Sequence, residues 1–281
     1  MVSQDQRRRQ LAREKFLRQQ QRRTSARRKA RVRNAAIASV LGVILVGSVA
    51  LYTTDVLKGD DKKDNVSADA SASPSPSKAP DPCEKPAEGK VKELTFKKEP
   101  ALTIDKTAKY TMDLQTTCGS IPITMDAAKA PRTVNSFDFL VNKGYLDHTK
   151  CHRLTTEGIY VLQCGDPQGT GTGGPGYTIP DENLKDPRLK GDVYPAGTVA
   201  MANQFNAQTG QGKNSGGSQF FLVTQDSPLP ANYTPFGTVS KDGMKVLKKI
   251  ADAGAQPADP QTGNTAPNAT VVINKATVKK S

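Results

Sequence analysis

Gly216-Gly217-Ser218-Gln219-Phe220-Phe221 sets polar side chains beside two adjacent aromatics at the point where a strand should begin. Successive side chains of an extended chain point to opposite faces, so one of the two rings must lie on each side of a sheet. Read alone, the stretch is a glycine turn feeding a buried strand. The same alternation recurs upstream. Tyr110, Met112 and Leu114 interleave with Thr111, Asp113 and Gln115, and Ile121, Ile123 and Met125 repeat the pattern after Cys118-Gly119-Ser120. That spacing predicts a hairpin.

Further strands are predicted at Cys151 to Leu154, Ile159 to Cys164, Thr198 to Met201, Gln219 to Thr224, Phe236 to Val239 and Val271 to Val278. Two helices stand between them. One starts at Pro131, carries Val134, Phe137 and Val141 on one face, and ends at Gly144. The other presents Met244, Leu247, Ile250 and Ala251, and Gly254 stops it. Many short strands with two isolated helices predict a mainly β domain, an antiparallel sheet or barrel, over residues 91–281.

The chain before that domain has a different character. Residues 1–33 hold 13 Lys and Arg against Asp5 and Glu14, whereas the rest of the chain has 27 basic and 25 acidic residues. Between Arg33 and Asp55 no residue is charged. As a helix, residues 34–54 would span about 30 Å, the thickness of one bilayer core. The basic block before it and the acidic side after it predict a cytoplasmic N-terminus and an extracytoplasmic domain. Ser48-Val49-Ala50 leaves open a signal peptide with cleavage there. The favoured expectation is an uncleaved single-span anchor, with the basic tail 1–33 lying against anionic lipid rather than nucleic acid. Residues 55–90, rich in Asp, Lys, Ser and Pro, read as a disordered linker.

Cys83, Cys118, Cys151 and Cys164 fall on the exported side, where disulfides persist. Three pairings are open. If Cys151 and Cys164 stand on neighbouring strands of one hairpin they can bridge, leaving Cys83 and Cys118 to tie the domain entrance to the first turn. No Cys-x-x-Cys spacing supports a metal site. Gly169-Thr170-Gly171-Thr172-Gly173-Gly174 fits Gly-x-Gly-x-x-Gly, but Pro175 and Gly176 follow where a phosphate-binding loop would open a helix, so it reads as a plain loop. Ser218 is not in a nucleophile elbow, because Phe220 occupies the second glycine position.

Taken in order, Cys151-His152-Arg153-Leu154, Gln163-Cys164-Gly165-Asp166, Met201-Ala202-Asn203 and Ser218-Gln219-Phe220-Phe221 resemble the cyclophilin family of peptidyl-prolyl isomerases. Ala130-Pro131-Arg132-Thr133-Val134, Gly144-Tyr145 and Phe236-Gly237 extend the resemblance over Tyr110 to Val278. It implies a closed eight-stranded antiparallel barrel capped by two helices, with a groove for proline-containing polypeptides on its outer face and no cofactor. It casts Arg153 as the catalytic arginine and Gln163 as its neighbour. Ala202, Asn203 and Gln219 become binders of the peptide backbone. Tyr160, Val161, Phe221, Leu229 and Tyr233 are placed at the proline pocket.

Three departures from the family pattern stand out. Cys151 replaces the usual Phe before His-Arg, and the interval from Arg153 to Gln163 is two residues longer than the commonest spacing. Pro228 and Tyr233 stand where many members carry Trp and His, which implies weak cyclosporin binding; a submicromolar affinity would refute that expectation. The implied activity is cis-trans isomerisation of X-Pro bonds in exported proteins. The alternative is a module of the same fold that holds proline peptides with little turnover.

Overall fold

A computed structural model describes residues 80–206, 209–260 and 263–281. The basic tail, the apolar run 34–54 and the linker as far as residue 79 lie outside the described residues. Among the described residues no helix is long and apolar enough to cross a membrane.

Among the described residues, eleven strands and two helices follow one another as β1 (Tyr110–Thr116), β2 (Gly119–Met125), α1 (Pro131–Asn142), β3 (Thr149–Lys150), β4 (Arg153–Glu157), β5 (Ile159–Cys164), β6 (Val193–Tyr194), β7 (Thr198–Met201), β8 (Phe220–Val223), β9 (Ser227–Pro228), β10 (Pro235–Val239), α2 (Lys241–Asp252) and β11 (Val272–Lys280). Nine of the strands form one antiparallel sheet in the order β3-β11-β1-β2-β10-β7-β8-β5-β4, and β6 pairs with β9 apart from it. The first hairpin sets Met112 opposite Ile123 and Leu114 opposite Ile121, all buried.

The structure corrects the expected closure into eight strands. The two ends of the sheet, β3 and β4, are consecutive in the chain, and among the described residues no ladder joins β4 to the stretch before β11. Isolated bonds cross that seam instead, from Leu154 N to Thr265 O (2.7 Å) and from Cys151 N to Val271 O (2.9 Å). Pro267, between those two bonds in the chain, is bridged instead to Ala255.

Both helices end where the sequence indicates. Pro131 opens α1, where its missing N–H is no loss, and Gly144 follows it at a φ of 71°. Ser240 caps α2 by accepting from Gly243 N (3.0 Å), and Gly254, at a φ of 74°, follows its end. Helix α1 buries Phe137 face to face with Phe236 (4.6 Å between ring centres) and edge-on to Phe220 (5.4 Å). Phe220 therefore points into the core, which obliges Phe221 to point out.

Residues 80–109 form no strand or helix, yet they are held against the sheet. Cys83 is bridged to Cys118 in the β1–β2 turn, Ala87 N donates to Asn274 Oδ1 (3.0 Å), and Thr103 N donates to Asn135 Oδ1 (2.9 Å). The second bridge, Cys151–Cys164, ties the entrance of β4 to the end of β5.

Candidate functional site

Across β4, β5, β8 and β7, Arg153 stands opposite Gln163, Gln163 opposite Phe221, and Phe221 opposite Ala200. Directly opposed residues share a face. The neighbouring row, Leu154, Leu162, Leu222 and Val199, belongs to the core, so the Arg153 row lies on the outer face. There Val161, Tyr194, Ala200, Phe221 and Val223 form a second apolar cluster, with Leu229 and Tyr233 packed against it.

This cluster floors a pocket of about 120 Å³ lined by Arg153, Ile159, Val161, Gln163, Ala202, Asn203, Phe221, Leu229 and Tyr233. Phe221 is only 5% exposed, and Tyr233 meets its ring edge-on at 5.6 Å between centres. Beneath them Tyr194 is fully buried. Its hydroxyl donates to Tyr233 O (2.6 Å) and accepts from Tyr233 N (3.1 Å), which fixes the backbone that carries the Tyr233 ring.

A chain of hydrogen bonds runs along the rim. Arg153 Nη1 donates to Gln163 Oε1 (3.3 Å), Gln163 Nε2 to Gln219 Oε1 (2.8 Å), and Gln219 Nε2 to Gly173 O (2.8 Å). Each amide is oriented by the next, so the guanidinium is held from one side only and its remaining N–H groups are left for a ligand. Burial pushes the Arg153 pKa below its ordinary 12.5, an effect that Tyr233 offsets in part. A guanidinium starting that high stays charged at any working pH. Burial likewise pushes the Tyr233 phenol up, against the pull of Arg153.

A larger cavity of about 560 Å³ adjoins the pocket, and Gln163, Ala202 and Asn203 line both. One wall is the glycine-rich loop. Asp166, fully buried, organises it: Oδ1 accepts from Gln168 N (2.8 Å), and Oδ2 accepts from the amides of Thr170 (3.0 Å), Gly171 (2.6 Å) and Gly173 (3.1 Å). The loop that mimics a phosphate cradle in sequence thus closes around the chain's own carboxylate. A Cβ on Gly173 would sit 2.0 Å from Asp166 Oδ1, so that position must be glycine.

Burial pushes Asp166 up, but the amides of Gln168, Gly173 and Gly171 outweigh it and hold the group below its ordinary 3.8. His152, 8% exposed, stands near Asp166. Burial, with Arg153 assisting, lowers its pKa from 6.5 against the opposing pull of Asp166. Both depressed values mean that the unfolded chain binds protons first on acidification. Stability that is complete above pH 6.5 is expected to fall as pH drops below it, first through His152 and then, below pH 4, through Asp166. Thermal melts at pH 7.5 and 5.5 check this. His152→Gln should shrink the difference between them, and an unchanged difference would remove His152 from the account.

Of the residues named from sequence, Arg153, Val161, Gln163, Ala202, Asn203, Phe221, Leu229 and Tyr233 meet at the smaller pocket, and Gln219 lines the larger one. Tyr160 does not line either cavity. It shares its side of β5 with Leu162 and Cys164, and Ile159, two residues before Val161, takes the place expected for it. Counting back by twos from Gln163 would have identified Ile159. Tyr194 has no such local signal, because its partner Tyr233 lies 39 residues away.

A family model described as cyclophilin type peptidyl-prolyl cis-trans isomerase/CLD matches residues 111–278. A protein of Mycobacterium leprae named probable peptidyl-prolyl cis-trans isomerase B is 48% identical over 155 residues, which is 52% of this chain and 50% of that protein. The chain thus spans about half the length of this curated relative. Peptidyl-prolyl cis-trans isomerase cypE of Dictyostelium discoideum is 37% identical over 173 residues, 60% of this chain and 97% of that protein. A solved cyclophilin type isomerase of Cryptosporidium parvum aligns with 62% of this chain and 99% of its own, at 25% identity and a TM-score of 0.47.

Proposed function

This chain belongs to the cyclophilin type peptidyl-prolyl cis-trans isomerases, and from that premise we propose that its outer groove interconverts the cis and trans forms of X-Pro bonds in polypeptides. The observation that carries the reading is a pocket sized for a small ring, with an apolar floor and a half-buried, permanently charged guanidinium at its rim. The obstacle to exchange is the partial double bond of the amide, a barrier of about 18–20 kcal/mol. It is lowered by whatever favours a pyramidal prolyl nitrogen.

The proline ring sits over Phe221, between Val161, Leu229 and Tyr233. An N–H of Arg153 donates to the prolyl nitrogen as the bond twists and its lone pair leaves conjugation. That bond is stronger in the twisted state than in either planar one, which is the condition for catalysis by differential binding. Gln163 and Gln219 keep the guanidinium aimed. The Asn203 side chain is already engaged, because Nδ2 donates to Asp181 Oδ1 (3.2 Å) and Asn232 O (2.8 Å) while Oδ1 accepts from Phe205 N (3.1 Å). Its main-chain N–H and C=O are therefore the groups it offers to a peptide.

The clients in this reading are exported proteins, and the domain stands outside a membrane crossed by residues 34–54. Two bridges that consume all four cysteines support that placement, since disulfides persist in oxidising compartments. Exchange spectroscopy of proline peptides with the full chain in detergent tests the activity. Enhanced exchange is expected. Binding without enhancement would overturn the enzyme reading in favour of a proline-peptide holding module, which the Tyr233 ring packed edge-on against the pocket floor favours. Protease accessibility in intact cells tests the placement, and a domain protected from external protease would overturn it.

A further inference from the structure

The larger cavity has the glycine-rich loop as its wall, and that wall has a second surface. Its outer side is covered by residues that precede the family match at 111–278. Phe96 N donates to Pro175 O (2.8 Å). The Phe96 ring meets Phe139 of α1 edge-on at 4.9 Å and leans on Tyr177 at 6.4 Å between centres. A Cβ on Gly176 would lie 2.6 Å from Thr95 Cγ2 and 2.7 Å from Phe96 O, so the two backbones touch. Pro175, Gly176 and Tyr177 all line the cavity.

The covering segment is itself fixed at both ends. Upstream, Cys83 is bridged to Cys118 and Lys92 Nζ donates to Lys143 O (3.2 Å). Downstream, Glu99 pairs with Arg132 at the start of α1, and Asn135 binds Thr103 N and Ala101 O. From the other side, the Tyr177 hydroxyl is hydrogen-bonded to Ser136 Oγ (2.8 Å). The wall is therefore clamped between α1 and the segment. Gly173, two residues before Pro175, anchors the amide chain that ends at Arg153 and is held separately, by Asp166 Oδ2 (3.1 Å).

Resting on the isomerase reading, we propose that residues 94–99 are a brace that preforms the wall of the larger cavity and so determines which residues flanking proline the groove accepts, with Phe96 as the positioning residue. Every residue lining that cavity is uncharged, and Thr172, Thr178, Gln204 and Ser215 are among them. The favoured flanking side chain is long and uncharged, of the glutamine or methionine kind. A flank as small as alanine does not reach the wall and gains nothing from the brace.

The test uses the full chain and three proline peptides that differ only in flanking residues: alanine, methionine and glutamine. Dissociation constants come from NMR titration and exchange rates from the same samples. Phe96→Ala is expected to leave the alanine peptide within about twofold while weakening the methionine and glutamine peptides about three- to tenfold, the affinity lost when side chains must be ordered on binding. The loss should appear in KM with kcat retained. Phe96→Tyr, which keeps the ring, should restore it. Equal weakening of all three peptides, or none, in a variant that folds would overturn the brace, and Phe96→Leu supplies the same comparison if the alanine variant unfolds. If wild type binds but does not accelerate exchange, the isomerase reading fails alone, and the pattern of dissociation constants still decides the brace.

Discussion

Arg153→Ala is expected to lower the exchange rate of a bound proline peptide by about 10²–10³-fold, the usual cost of removing one preorganised donor that acts on the transition state. Affinity should change little, because the ring is held by Phe221, Val161 and Leu229, which the substitution leaves in place. Arg153→Lys should recover only a small part of the rate. An ammonium lacks the planar fork that Gln163 orients and carries its own tight hydration. Breaking the amide chain one link further back, with Gln163→Ala, should cost less than losing the guanidinium, since the donor remains but is no longer aimed. Line-shape or exchange spectroscopy on a saturated peptide separates rate from affinity. An Arg153→Ala protein as fast as wild type would remove the guanidinium from the mechanism.

The second large effect is expected in stability. The Cys83–Cys118 bridge closes a separation of 35 residues and Cys151–Cys164 one of 13. In the chain-entropy account these contribute about 4 and about 3 kcal/mol by restricting the unfolded chain. Together they rival the whole stability of an ordinary domain, about 5–15 kcal/mol. Full reduction should lower Tm by roughly 15–25 °C at this size. Thermal unfolding with and without a dithiol measures this, and paired Cys→Ala variants divide it between the bridges. The shorter bridge has a consequence for activity as well, because Cys151 lies two residues before Arg153 and Cys164 directly follows Gln163. Its loss frees the entrance of β4, so the Cys151→Ala/Cys164→Ala protein should lose rate while folded, whereas the Cys83 and Cys118 pair should mainly lose stability. Identical melting of reduced and oxidised protein would refute the contribution of both.

Much of the fold was legible because its signals are local. The hairpin of β1 and β2 follows from period-two alternation, and Pro131, Gly144 and Gly254 mark helix ends through their own backbone preferences. Alternation also settles the stretch 216–221. With Phe220 packed inward, edge-on to Phe137, Phe221 has no direction left but outward, into the groove. Arg153, Gln163 and Gln219 were singled out only through the family resemblance that their ordered motifs carry.

What the chain could not announce is whatever depends on residues far apart. The chain of bonds from Arg153 to Gly173 needs Gln163 and Gln219, 56 positions apart, at 2.8 Å. Tyr194 supports Tyr233 only because the β6–β9 pair brings them together, and Asp166 fills the glycine loop only because that loop turns back on it. That the sheet ends at β3 and β4 depends likewise on how distant strands pair around it. Local sequence determined which residues form strands, where the helices stop and which face each side chain takes, because those follow from the geometry of two to four neighbouring residues. Tertiary structure alone decided that Tyr194 underpins Tyr233, that a segment ahead of the family match backs the wall of the larger cavity, and that the Arg153 guanidinium is tied through Gln163 and Gln219 to Gly173. Each of these is a contact between distant parts of the chain, and only the packed core fixes such distances.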